Sequence, residues 1–490
     1  MAITWSSSYA LPLAIAGAIA AYMVLRRPRH LPDIPGDYQW PLVGNLPYLL
    51  PFSRKSKSHL YMRRCMQLYG KVDQGYIFGN VFVNFSDANV VRELLRQDEN
   101  GAIVRGDIVQ KAFRGVGNWI LFLMPMDRHW KRHRKMIQPG FGPAQLRRTA
   151  VSTNEFLDTL LEHWISTDAS VVDFHTIASA VIMDILGDVG FSYRFNMVKH
   201  LDDPEKLNEI FQPFDRLFRI SFERSRYPAF LWEWFNLGDD QIKPHIGALH
   251  TLVLAVLNER RAAEASVLKA EARDIVGRLI CVDDEGSEQF TDEEICDELL
   301  GFFFAGHETT ANTLTFVVAE LAQNPAVAER LYNEIHSILG SDGIPSHDQL
   351  SDFKYLDKVL KETQRLHSVV PIILRFAVRD TTVAGYKIPK GAHIGISIDH
   401  IHHNPEYWKD PDVFNPDRWD EPIVPGSFIP FGDGPMNCIG QKMAVIESKV
   451  FMIRLVQKFR LHIVNPDQLD PIYSITLGYK NGLDIRLERR

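Results

Sequence analysis

Cysteine is scarce in this chain: four residues in 490, at positions 65, 281, 296 and 438, with no CxxC pair among them. A disulfide-stapled secreted scaffold and a zinc ribbon are thereby excluded, and the usage suits a reducing compartment. Positive charge is not in excess. Lys and Arg number 54 against 61 Asp and Glu, a net charge of −7, which argues against a protein built to wrap nucleic acid. Internal repeats and low-complexity blocks are missing. With 46% hydrophobic and 23% charged residues, disordered and fibrous classes are excluded as well. Uncharged apolar runs of membrane length occur in one place only.

That place is Tyr9 to Leu25, YALPLAIAGAIAAYMVL, 17 residues without a charge. As a helix it spans roughly 26 Å, enough for a bilayer core. Met1 to Ser8 carry no Lys or Arg, whereas Arg26, Arg27 and Arg29 follow directly. The positive-inside rule then leaves residues 1–8 in the lumen, makes 9–25 a single transmembrane anchor and puts the remainder in the cytosol. A cleaved signal peptide is the rival, but the run is long for one and its basic residues sit on the wrong flank. Residues 26–45, with Pro32, Pro35 and Pro41, read as a basic, proline-rich stiff hinge, and 46–490 as one catalytic body.

Within that body helical patterns dominate from about 55 to 340, while 376–398 and 460–489 alternate as short strands do. The polar stretch 283–289 (DDEGSEQ) is too short for a domain linker. The fold class is therefore mainly α with small β-sheets. One helix start is marked by a capping box, Thr291 with Glu294, and by a Phe290–Ile295 staple. The helix can run to Asn324-Pro325, a length of roughly 50 Å.

Midway along it lies Phe304-Ala305-Gly306-His307-Glu308-Thr309-Thr310. A glycine and two threonines are poor choices for a helix interior, and threonine hydroxyls bond back to the preceding turn and bend it. Such a breach marks either a kinked core helix with a stray carboxylate or a site, with Glu308 and Thr309 as acid and alcohol for proton delivery. A second segment, Phe431-Gly432-Asp433-Gly434-Pro435-Met436-Asn437-Cys438-Ile439-Gly440, is a tight loop before an apolar-periodic helix. It places Cys438 at a helix N-terminus, where amides and the helix dipole favour a thiolate and tune a bound metal, and Gly440 leaves room for a flat cofactor.

This loop resembles the haem-ligating signature of the cytochrome P450 family, with Phe431, Gly432, Gly434, Cys438 and Gly440 in place. Ala305-Gly306-His307-Glu308-Thr309 resembles that family's oxygen-activating helix motif. The resemblance makes Cys438 the axial thiolate ligand of the haem iron, which favours O–O cleavage. Three further motifs follow in the family's order. Trp130 and Arg134, four residues apart on one helix face, resemble the W-x-x-x-R that holds a haem propionate. Glu362 and Arg365 resemble its E-x-x-R pair, and Phe414-Asn415-Pro416-Asp417-Arg418-Trp419 its P-E-R-F segment, so that Arg418 completes a Glu–Arg–Arg lock. Glu93/Arg96 and Glu223/Arg226 share the spacing but precede no such segment. Arg375, after Pro371, resembles another propionate contact. One position departs: where the family has Arg or His two residues before the cysteine, this chain has Met436.

The resemblance, over about residues 32 to 486 and closest in character to fungal microsomal members, implies a haem-thiolate monooxygenase. It implies haem b, O₂ as co-substrate, and NADPH electrons delivered by a separate cytochrome P450 reductase, with cytochrome b5 as a second donor. It also implies an endoplasmic-reticulum membrane location in contact with lipid. The substrate is read as a lipophilic, uncharged small molecule, because Phe302, Phe303 and Phe304 precede the site motif and the chain is tethered to a membrane; the likeness to fungal microsomal members makes a terpenoid or other secondary metabolite the first guess. An electron-independent haem-thiolate isomerase or dehydratase and a non-catalytic haem-binding protein are the alternatives. His400, His402 and His403 read as structural, and His129 and His133 as part of the basic face of RHWKRHRK, which could dock an acidic partner. Phe211, Phe214, Phe218 and Phe222, at helical spacing, are either core or an apolar substrate entrance.

Overall fold

The computed structural model describes residues 31–490 except position 42 and the segments 97–100, 168–170, 228, 263–273 and 281–288; of the first thirty residues it describes only Gly17. The anchor expected at 9–25, Gly17 apart, and all but the last residue of the polar stretch 283–289 lie outside the described residues.

The capping box forms as the sequence dictates. Thr291 accepts from the Glu294 amide at 3.2 Å and Glu294 accepts from the Thr291 amide at 2.8 Å, and Phe290 and Ile295 are both buried beside them. From this start a single helix, Asp292–Gln323, runs for 32 residues, uninterrupted through 304–310. Two apolar cores share it. Its second half packs with Phe174–Leu186, Pro143–Thr167 and Gln441–Lys458. Its first half packs with Pro204–Arg226 and Asp239–Ala262. Gly306 permits the close approach of Phe174–Leu186, since a Cβ there would sit 2.9 Å from Leu186. Phe174–Phe191 is the one described helical stretch long and apolar enough to cross a membrane, and 89% of it is buried inside the body, as a core helix is.

The strands form small sheets. The largest has five, in the order Val72–Ile77, Asn80–Phe85, His393–Ser397, Ile372–Ala377, Ile103–Arg105, with only Asn80–Phe85 against His393–Ser397 parallel. The alternating segments 376–398 and 460–489 are strands, as their period implied. The 72–85 hairpin is an exception inside the region read as helical; it turns at Phe78-Gly79, both at positive φ. A two-stranded hairpin, Pro471–Tyr473 with Leu477–Tyr479, lies against the long helix.

Candidate functional site

The 431–440 loop is shaped around its cysteine. Gly434 takes φ 75°, and a Cβ there would fall 2.3 Å from the Leu95 carbonyl, so only glycine lets the loop close against that chain. Gly432 is likewise at positive φ, and the Cys438 amide donates to the Phe431 carbonyl at 2.9 Å. Gly440 caps the helix Gln441–Lys458. The amides of Gly440 and Gln441 donate to the Cys438 sulfur. Protein surrounds Cys438 on nearly all sides, yet its side chain is accessible, because it opens onto an internal cavity. Burial pushes the thiol up, while the two amides and the Arg134 charge pull it back. The amide effect expected at the helix terminus is thus present but outweighed by desolvation.

Ala305, Gly306 and Thr309 of the long helix line the same cavity, as do Phe431, Gly432 and Gly440. Of the three phenylalanines before the motif, Phe302 faces it; Phe303 is packed among Phe191, Phe195 and Phe214, and Phe304 stacks on Phe218. Thr309 Oγ1 donates back to the Ala305 carbonyl at 2.8 Å. Glu308, one residue earlier, lines a second and polar pocket instead. There its Oε1 accepts from Asn312 Nδ2 at 2.9 Å and from Thr476 Oγ1 at 3.2 Å.

Trp130 and Arg134 lie on the helix Arg128–Ile137, capped by Asp127. Arg134 holds the cysteine loop through Asn437, donating to its carbonyl at 3.0 Å and its side-chain oxygen at 3.1 Å. Asn437 is a contact that no spacing pattern disclosed. Trp130 is 5% exposed, and its Nε1–H has no acceptor among the described residues. Arg375, in the strand Ile372–Ala377, borders the cavity. Met436 packs with Leu121, Met124 and Trp130 in an apolar cluster.

Glu362 and Arg365 are both fully buried and paired at 2.9 Å. Glu362 also accepts from Arg418 Nε at 2.8 Å, Trp419 Nε1 at 3.1 Å and the Asn415 amide at 3.0 Å. Arg365 donates to the carbonyls of His402 and Pro411, and Arg418 to those of Lys409, Asp410 and Val413. By contrast, Glu223–Arg226 is only a partly exposed pair within one helix.

The histidines at 400–403 do structural work: His402 bonds Ser368 and accepts from the Ile429 amide, and no metal-holding cluster of His, Cys, Asp or Glu occurs among the described residues. His133 corrects the reading of a solvated basic face, since it is buried between Glu298 at 2.7 Å and Glu294 at 3.3 Å. The phenylalanine stripe is both core and wall: Phe214 and Phe218 are buried, and all four rings border the polar pocket.

The family model of cytochrome P450 matches residues 34–481. Cytochrome P450 4F1 of Rattus norvegicus is 29% identical over 99% of this chain and 94% of its own length. A cytokinin hydroxylase of Arabidopsis thaliana is 30% identical over 82% of this chain and 78% of its own. Leukotriene-B4 omega-hydroxylase 3 of Mus musculus is 28% identical over 96% and 92%. An accessible cysteine on one side of a cavity and the glycine–threonine stretch of the long helix on the other are what the structure sets face to face. The chain belongs to the cytochrome P450 family and is a monooxygenase.

The residues present suit a haem. The sulfur meets the cavity, two amides steady it, the facing helix presents no bulky side chain at Ala305-Gly306, and the orphaned Trp130 N–H needs an acceptor such as a propionate. What is missing is a cation at 436. Met436→Arg is expected to slow haem loss to a haem-scavenging protein about tenfold to hundredfold, since a charge-assisted hydrogen bond is worth roughly 1.5–3 kcal/mol. Unchanged or faster loss would show that the apolar packing around Met436 already does that work.

Proposed function

We propose that the chain, tethered to the endoplasmic-reticulum membrane by residues 9–25, inserts one oxygen atom of O₂ into a lipophilic, uncharged small molecule. The other atom leaves as water, and the two electrons come from NADPH through a separate reductase. The observation that carries this reading is the Cys438 sulfur facing Ala305, Gly306 and Thr309 across one cavity. Haem b held there would supply the reductive activation of O₂. Trp130, Arg134 and Arg375 would hold its carboxylates. Glu308 carries protons and the Thr309 hydroxyl hands them into the cavity. Glu362, Arg365 and Arg418 lock the segment that precedes the cysteine loop. Leu186, Phe302, Val369, Val370 and Ile373 give the cavity apolar walls, which supports a lipophilic substrate. A terpenoid of fungal secondary metabolism is the first candidate.

Two surfaces support the partners. On the helix that turns Trp130 inward, Arg128, Lys131 and Lys135 are exposed, a cationic face suited to an acidic electron donor such as the reductase or cytochrome b5. Phe230 and Trp234 are 78% and 84% exposed on the loop after Pro204–Arg226, where they would meet lipid.

The test is reconstitution with reductase in lipid under ¹⁸O₂. Product carrying one ¹⁸O per NADPH consumed is expected. Turnover without NADPH would indicate an isomerase or dehydratase, and no turnover of any lipophilic compound despite bound haem a non-catalytic protein. Thr309→Ala is expected to retain haem and NADPH consumption but lower product per NADPH by at least about tenfold, with peroxide making up the difference.

A further inference from the structure

Glu308 and Thr309 are neighbours in sequence but border different spaces: Thr309 the cavity above Cys438, Glu308 the polar pocket on the other side of the helix. That pocket is walled by the helix Pro204–Arg226, the start of Phe174–Leu186 and the 471–479 hairpin, and His175, Asp215, Arg219 and Lys480 give it a polar lining. At its inner end three side chains form a closed triangle. Asn312 Nδ2 donates to Glu308 Oε1 and, at 3.3 Å, to Thr476 Oγ1, while Thr476 Oγ1 donates to Glu308 Oε1. Asn312 and Thr476 are buried, at 2% and 6% exposure.

The hairpin is built to receive this triangle. A Cβ at Gly478 would lie 2.5 Å from Asn312 Oδ1, so a side chain there would push the Asn312 amide out of the triangle. The Leu477 amide donates to the Val369 carbonyl at 2.8 Å, which fixes the hairpin to the cavity wall. The adjacent imidazole is otherwise engaged: His307 Nδ1 donates to the Phe303 carbonyl, and its ring lies against Phe211 and Phe214.

We propose that Thr476, with Asn312, is a positioning residue for proton delivery: it holds the Glu308 carboxylate at the inner end of the polar pocket, so that protons enter from that side. This rests on the reading of Glu308 as a proton carrier. Two protons are consumed in each turnover; for each of them one proton leaves the Glu308 carboxyl toward the Thr309 hydroxyl, and one returns to the carboxylate from solvent in the polar pocket. Only O–H bonds break and form, and no electrons move.

Thr476→Val removes the donor and keeps the volume. In the reductase-coupled holoenzyme it is expected to raise the peroxide-to-product ratio about threefold to tenfold, the worth of one hydrogen bond, and to enlarge the solvent isotope effect. The carbon-monoxide spectrum and the substrate-induced spin shift should stay as in wild type. Hydrogen exchange should quicken only in 471–479. Thr476→Ser should restore all of these, and Asn312→Ser should act in the same direction as Thr476→Val, which serves if the valine variant does not fold. The decisive measurement is the cycle with Glu308→Gln. A residue acting through Glu308 adds nothing in that background. Additive uncoupling, or wild-type coupling in Thr476→Val where Glu308→Gln uncouples, overturns the hairpin's role and leaves Glu308 standing. Full coupling in Glu308→Gln overturns the underlying reading and the proposal with it.

Discussion

Cys438→Ala is expected to abolish the spectral signature of a thiolate-ligated ferrous carbon-monoxide complex and to reduce product formation to that of the reductase alone. Among the described residues Cys438 is the only thiol on the cavity wall. Cys65 and Cys296 are buried elsewhere, in a sheet-side helix and the first half of the long helix. His367 borders the cavity but stacks on Phe316 at 4.4 Å with an interplanar angle of 2° and bonds Glu320 at 2.7 Å, so its ring is committed. Met436 and Met443 also border it and offer only weak thioethers. The substitution removes one atom from an accessible position and none from the hydrophobic core, so secondary structure and melting of the haem-free chain should be unchanged. The measurement is the reduced carbon-monoxide difference spectrum beside circular dichroism. A retained thiolate signature would place the ligand elsewhere.

What the sequence disclosed is what acts locally. The Thr291–Glu294 box needs only three residues of chain, and the helix it starts ends where Pro325 forbids continuation. Glycines at 432 and 434 announce a loop that other residues could not make. What stayed hidden joins residues far apart in sequence. Trp419 reaches Glu362 across 57 positions, Arg134 reaches Asn437 across 303, and Thr476 reaches Glu308 across 168. No periodicity in the sequence betrays any of these partners. His133 misleads for a related reason. Its basic neighbours mark an exposed face, but the 3.6-residue turn carries it with Trp130 and Ile137 to the inside, where two carboxylates of the long helix receive it. The 72–85 hairpin was obscured because its flanking helices, Ser58–Tyr69 and Ala88–Arg96, carry the stronger pattern.

Glu362→Gln should be the most damaging substitution far from the cavity. The carboxylate is fully buried and answers five donors: two from Arg365, one from Arg418, the Trp419 N–H and the Asn415 amide. Glutamine keeps the volume, so no cavity opens. It replaces one acceptor oxygen by an N–H₂ that points at guanidinium donors, and it leaves two arginine charges with no counter-charge in that cluster. Removing one partner of a buried pair costs about 3–5 kcal/mol, against a total stability of about 5–15 kcal/mol for a folded protein. The damage should propagate. Arg365 and Arg418 pin the carbonyls of His402, Lys409, Asp410, Pro411 and Val413, and this segment leads into the loop that presents Cys438. Haem incorporation should therefore fall with stability, and residual protein should show the signature of a displaced thiolate. Glu223→Gln, at the same E-x-x-R spacing, is the control. Its pair is partly solvated, so the expected change is within about 1 kcal/mol. Thermal melting and haem content of the two variants decide the matter. Equal effects would mean that spacing alone sets the cost, and a large loss confined to Glu362→Gln would locate it in the burial of the cluster.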